Sequence, residues 1–349
     1  MVDLVRALEE LSNAFGVAGH EDQVRDILRR YIEPYVDEIR VDKLGNLICT
    51  KRREGKVKIM LAAHMDEVGL IVKAIEKEGV IRFAPIGGLD PRVLVSQRVI
   101  IHTREGKRIP GVISSIPPHI QEPQEREKAF KLEHLFIDIG ATSDKEVEEL
   151  GIRIGDPISF DVKFTRLHGK YVSGKAFDDR IGCAELIAIA EHLDEVDAEI
   201  YLVGTVQEEV GLRGAATAAY GIYPDYAIAL DVTVGGGIPG VKITQVTARP
   251  GQGPVVTVAD GGLLAHPKVL RALIEAARRL GIKYQLETFL PYGGTTDAAR
   301  ITLTREGVPS GVITVATRYI HAPVSVANLE DMENAVRLAI ETCKELSRG

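Results

Sequence analysis

Tryptophan is absent from this 349-residue chain and aromatic residues make up only 5% of it. A sugar-binding cleft built on aromatic platforms therefore has little to be made from, and a carboxylate-pair glycosidase would leave the chain's histidines without a role. Cysteine is scarce as well. Cys49, Cys183 and Cys343 are odd in number, scattered and without CxxC spacing, which excludes a disulfide framework and a thiolate zinc site. No apolar run approaches the roughly 20 residues needed to span a bilayer. Basic charge is lacking too: the net charge is -7 and no Lys/Arg-rich block is present, so neither nucleic acid nor membrane is expected as a partner. The opening segment, with Val2, Val5, Leu8 and Leu11 at helical spacing between acids, reads as an amphipathic helix and not a signal peptide. A cytoplasmic enzyme is the expectation.

What is present is a set of acids and histidines in telling places. The run VQEEVGLRG (206–214) ends an apolar stretch with adjacent glutamates, Glu208 and Glu209. AAHMDE (62–67), SGKAFDDRIG (173–182), IALDVT (228–233) and TRYIHAP (317–323) each place a His or Asp just beyond an apolar strand or in a glycine-flanked turn. Loops at the carboxyl ends of strands carry the chemistry in open α/β sheets. His64, Asp178, Glu209, Asp231 and His321 together supply two imidazoles and three carboxylates, a donor set suited to Zn²⁺, Co²⁺ or Mn²⁺. Five such residues serve two ions about 3.5–4 Å apart if one carboxylate bridges them. Asp66, two residues beyond His64, is positioned to orient that imidazole. Glu208 is the expected general base, with Glu209 as ligand, although adjacent extended residues point apart and spacing alone leaves the two roles exchangeable unless the strand has turned. Asp179 is suited to capping the helix that follows while Asp178 ligates.

The elements around these motifs alternate in the manner of a three-layer α/β domain with a mixed central sheet. Between residues 67 and 161 the texture changes to short β-rich runs separated by Gly and Pro, which suggests a small inserted β-barrel. The catalytic domain is thus expected over 1–66 and 162–349. Later expectations include helices over 267–280 and 296–306 and a strand over 226–230. The polar, proline-bearing stretch 117–131 reads as an excursion from the barrel.

The ordered motifs AAHMDE, KAFDDRIG, VQEEVGLRGA, ALDVT and RYIH resemble the M42 metallo-aminopeptidases, the tetrahedral or TET peptidases. VDKLGN (41–46), PIGG (85–88), PPHI (117–120) and GGTTDA (293–298) are similar to further family segments. The resemblance implies two Zn²⁺ or Co²⁺ ions per subunit, with His64 and Asp231 on one, Glu209 and His321 on the other, and Asp178 bridging. It also implies Glu208 as catalytic base, Asp66 as the carboxylate behind the ligands, and a cis Asp178-Asp179 bond. The expected reaction releases N-terminal residues from short peptides. The expected assembly pairs subunits through the inserted barrel into homodimers, and six dimers into a tetrahedral homododecamer.

For the substrate pocket the candidates are Gly293, Gly294 and Asp297, Asp297 either lining it or starting the next helix. Neither GGTTDA nor TVGGGIPG carries a cluster of one charge, which favours neutral, aliphatic N-terminal residues. A dinuclear deacylase or carboxypeptidase on the same core is the closest alternative, with an endoglucanase or a non-catalytic scaffold behind it.

Overall fold

The computed structural model describes residues 3–122, 124, 128–290 and 293–348. Along the strand Lys58–His64, successive side chains point to opposite faces of the sheet. Ile59, Leu61 and Ala63 enter one apolar layer, and Met60 and Ala62 the other. A strand apolar on both faces needs cover on both. The helices Leu4–Asn13, Asp22–Ile32, Phe177–Ala190, Pro267–Leu280 and Leu329–Leu346 supply it on one side. Arg213–Ile222 and Ala298–Ile301 supply it on the other. Val2 lies outside the described residues; the N-terminal helix begins after Asp3, whose carboxylate accepts the Val5 and Arg6 N–H groups.

From edge to edge, the eight-stranded sheet runs Glu38–Val41, Leu47–Lys51, Glu199–Thr205, Lys58–His64, Tyr226–Val234, Ser310–Thr317, Val255–Ala259 and Gln285–Thr288. The four central strands are parallel, so their carboxyl ends share one rim. Residues from Gly69 to Phe160 form a separate closed six-stranded barrel. It has its own apolar core, including Leu70, Val72, Ile81, Val99, Ile113, Ile137 and Ile158. Thr165–Arg166, Tyr171–Gly174 and Ser325–Asn328 make a small third sheet. Of the 117–131 stretch, Pro118–Ile120 is a short 3-10 turn, while residues 123 and 125–127 lie outside the described residues.

Two expectations need correction. The strand expected to stop at Leu230 continues to Val234, because its pairing with Ser310–Thr317 carries on through Val234. Asp231 therefore sits inside a strand and not beyond one. The helix expected over 296–306 is helical only over Ala298–Ile301. Thr304 turns its hydroxyl back to the Arg300 carbonyl, and Arg305 adopts a left-handed φ of 52° that ends the segment. Among the described residues no helix is long and apolar enough to cross a membrane. All three cysteines are buried and unpaired.

Candidate active site

The site is assembled at the shared rim of the parallel strands. His64 is the last residue of Lys58–His64, on the face of Met60 and Ala62, and Asp231 continues the Ala227 face of the neighbouring strand. Parallel neighbours in register thus aim both side chains the same way. Asp178 stands at the start of Phe177–Ala190, where Asp178 and Asp179 depart from helical geometry and the bond between them is cis. Both Asp179 oxygens are taken, one by the His64 N–H at 3.2 Å and one by the Gly182 N–H at 2.8 Å. Asp179 thereby caps the helix, and Asp178 is left to face the cluster.

The two oxygens of Asp178 look toward different imidazoles. Oδ1 lies 3.0 Å from His64 Nε2, and Oδ2 lies 3.5 Å from His321 Nε2. His64 Nε2 is also 3.9 Å from Asp231 Oδ1 and 4.0 Å from Glu208 Oε2, and His321 Nε2 is 3.7 Å from Glu209 Oε2. His64, Asp178 and Glu209 each bring a donor atom within 4.8 Å of the others, as do His64, Asp179 and Asp231. In the second group Asp179 already has both oxygens on backbone N–H groups.

The glutamate pair has left the strand. Glu199–Thr205 ends before it, and Gln207 at φ 57° turns the chain. Strand alternation therefore does not govern Glu208 and Glu209. Asp66 fixes this turn: its Oδ1 accepts the Glu208 N–H at 2.9 Å and its Oδ2 the Glu209 N–H at 3.0 Å. The Asp66 carboxylate is 3.6 Å from His64 Nδ1, which lies 3.1 Å from the Asp66 carbonyl instead. The barrel contributes from the opposite side, where the Gly88 carbonyl lies 2.9 Å from His321 Nδ1. A Cβ at Gly88 would come within 3.0 Å of that nitrogen, so the PIGG segment needs glycine to approach this closely.

Charge in the cluster is lopsided. Burial lifts the pKa of Glu208, with His64 opposing and Asp297, Asp231 and Glu209 adding to the rise. Burial likewise lifts Glu209, Asp231 and Asp179, and pushes Asp297 up to about 6. Burial disfavours a charged His64, yet Glu208, Asp178 and Asp66 outweigh it and raise that imidazole well above its ordinary value. Burial also resists ionisation of Asp178, but the hydrogen bond and charge of His64, with His321, pull its pKa down. So many buried acids around two imidazoles cannot all ionise without additional cations. Glu209 Oε1 is buried with no hydrogen-bond partner among the described residues, as a carboxylate meant for a metal should be. The residues present fit divalent ions.

A cavity of about 400 Å³ opens from this cluster. Gly294, Thr295 and Thr296 line it, whereas Gly293 and Asp297 are not part of its wall. The Asp297 carboxylate accepts the Thr205 hydroxyl and makes no side-chain cap to the helix it precedes. Sequence reasoning missed Asp260 and Glu287, two acids in the cavity lining. The expectation of neutral N-terminal residues took in two glycine-rich loops only, and these two acids lie outside both. Alternation in YQLET hid Glu287: Leu286 is half exposed, while the acid is buried.

A strand-end cluster of carboxylates about two imidazoles, on a mixed sheet with a nested barrel, defines a metal-dependent hydrolase. The M42 glutamyl aminopeptidase family matches residues 45–338. A putative aminopeptidase of Acetivibrio thermocellus is 42% identical over 339 residues, covering 97% of this chain and 98% of its own. The TET aminopeptidase from the marine sediment archaeon Thaumarchaeota archaeon SCGC AB-539-E09 has a TM-score of 0.95 at 41% identity, covering 99% of this chain and 96% of that one. The Pyrococcus horikoshii TET1 peptidase, which can assemble into a tetrahedron or a large octahedral shell, has a TM-score of 0.88 at 32% identity over 98% and 100% of the two chains. The chain belongs to the M42 peptidase family and is a peptide-bond hydrolase of the divalent-metal class.

Proposed function

We propose that the chain is a dinuclear-metal aminopeptidase that removes N-terminal residues from short peptides. The observation that carries this reading is the split allegiance of Asp178, with one oxygen toward His64 and the other toward His321. On this reading His64 and Asp231 would hold one ion and His321 and Glu209 a second, with Asp178 available to both. Zn²⁺ or Co²⁺ ions held there would supply Lewis acidity to the scissile carbonyl and to the attacking water. Glu208 takes the proton from that water and delivers it to the leaving amine. Asp66 holds Glu208 and Glu209 at fixed distance from His64 through the backbone it grips. Of the candidate pocket residues, Gly294 borders the cavity where substrate would enter, and Asp297, held to the Thr205 hydroxyl, steadies the loop before Ala298–Ile301.

A division of labour between two domains is part of this proposal. Residues 1–66 and 162–349 form the catalytic domain, and 67–161 the domain through which subunits associate. Val112, Ile116, Ile120 and Ile154 are exposed apolar side chains in that inserted region, which suits an interface. Homodimers built on it, and a tetrahedral homododecamer of six dimers, are the proposed assembly, supported by the shells of the Pyrococcus horikoshii relative. The enzyme is proposed to act in the cytoplasm on peptides, without nucleic acid or membrane.

A deacylase or carboxypeptidase on the same core would use the same ions and differ only in the group recognised. Hydrolysis of matched free and N-acetylated short peptides by the metal-loaded protein separates them. Release of N-terminal residues from free peptides only is expected. Equal cleavage of the acetylated set, or release from the carboxyl end, would replace the aminopeptidase reading.

A further inference from the structure

We infer that Asp260 and Glu287 form an acidic floor in the cavity that selects peptides whose N-terminal side chain is basic, lysine or arginine. The inference rests on the aminopeptidase reading and names the substrate class of that same site. Glu287 is only 4% exposed and Asp260 6%, and both line the cavity that opens from the cluster. Each acid spends one oxygen on its own anchoring. Asp260 Oδ1 accepts the Gly262 N–H at 2.8 Å, the Leu263 N–H at 2.7 Å and the Thr295 hydroxyl at 2.8 Å. Glu287 Oε1 accepts the Thr233 hydroxyl at 2.7 Å. Asp260 Oδ2 and Glu287 Oε2 are buried with no hydrogen-bond partner among the described residues.

Buried carboxylate oxygens left unpaired are costly, and none of the described lining residues relieves them. Among the described residues the lining includes no lysine or arginine, and its histidine, His321, stands at the metal-cluster end. Burial raises the pKa of Glu287, and Asp260 adds to the rise. A cation arriving between the two carboxylates reverses both penalties at once. An acidic side chain would add a third like charge, and an aliphatic one would leave both acids buried and unpaired. The same cavity is lined by the apolar side chains of Phe289, Ile320 and Val232, which suits the four-carbon stem that carries a lysine ammonium. The fixed oxygens set the carboxylates, and the free ones await the donor.

Two measurements on the metal-loaded protein test this. The first compares kcat/KM for otherwise identical peptides beginning with Lys, Arg, Leu or Glu, in the native chain and in Glu287→Gln and Asp260→Asn, which keep an anchoring oxygen. A charge-assisted hydrogen bond corresponds to roughly 10- to 100-fold. The Lys/Leu ratio is expected to be of that order in the native chain and to fall toward one in the double variant. The second measures, by calorimetry, binding of lysinamide against norleucinamide, which share a four-carbon side chain and differ by the terminal ammonium. Lysinamide is expected to bind about 10-fold tighter or more, with the advantage lost in Glu287→Gln. Equal affinities, or a Lys/Leu ratio unchanged by both substitutions, would overturn the acidic floor. A chain that cleaves no free peptide yet still prefers lysinamide would sink the aminopeptidase reading and leave the floor standing.

Discussion

Replacing Glu208 by glutamine is expected to lower kcat by about 10²- to 10⁴-fold, the usual worth of a positioned general base, while metal content and KM stay near their native values. Glutamine keeps the size of the side chain and its carbonyl oxygen but cannot take a proton. The position suits the task. Glu208 lines the cavity, its Oε2 is 4.0 Å from His64 Nε2, and its N–H is held by Asp66. Burial and the neighbouring acids raise its affinity for a proton against the pull of His64, and a base needs that affinity to accept one. Rates on a free peptide, alongside metal analysis of the same sample, make the check. Full activity in Glu208→Gln would move the base elsewhere, and loss of metal with the activity would make Glu208 a ligand.

The largest expected effect on stability lies just behind the site. Arg180 is fully buried. Its guanidinium donates to the carbonyls of Leu11 at 2.6 Å, Met65 at 3.0 Å and Gly16 at 3.2 Å, and lies 3.4 Å from Glu67 Oε1. Lys175 Nζ donates to the same Glu67 oxygen at 2.6 Å. One side chain thus ties the end of Leu4–Asn13, the segment between His64 and Asp66, and the helix Phe177–Ala190. Arg180→Met fills a similar volume but strands several buried carbonyls and leaves Glu67 with Lys175 alone. Removing one partner from such a buried network costs about 3–5 kcal/mol, to be read from urea unfolding of native and variant protein. A loss under about 1 kcal/mol, the scale of an exposed pair, would show that solvent or relaxation replaces these contacts.

Local pattern and non-local pairing divide what the sequence made legible. Pro267–Leu280 appears with the bounds that periodicity and flanking residues suggest, because it carries its own signal. The barrel was readable from short runs punctuated by Gly and Pro. Thr165–Arg166 and Tyr171–Gly174 were not, since they become strands by pairing with each other and, for Tyr171–Gly174, with Ser325–Asn328 far along the chain. At the site, spacing brought out the residues that the structure gathers, His64, Asp178, Glu208, Glu209, Asp231 and His321. It did not reveal that Asp66 grips the glutamate turn through backbone N–H groups, or that the Gly88 carbonyl of the barrel meets His321. Such contacts have no local spacing to announce them. Glu287 was hidden for a related reason: an acid on a buried strand face runs against the hydrophobic pattern by which strands are read. Asp260 follows directly on Val255–Ala259, and its place in the cavity wall depends on non-local packing.

The central claim is that this cluster holds two ions that act together. The most direct test is titration of metal-stripped protein with Zn²⁺ or Co²⁺, following bound ions per chain and the rate on a free peptide in one series. Saturation at two ions per chain, with most activity appearing only as the second site fills, is the predicted result. Full activity at one bound ion per chain, with no further uptake, would contradict the bridging role of Asp178 and the pairing of His321 with Glu209.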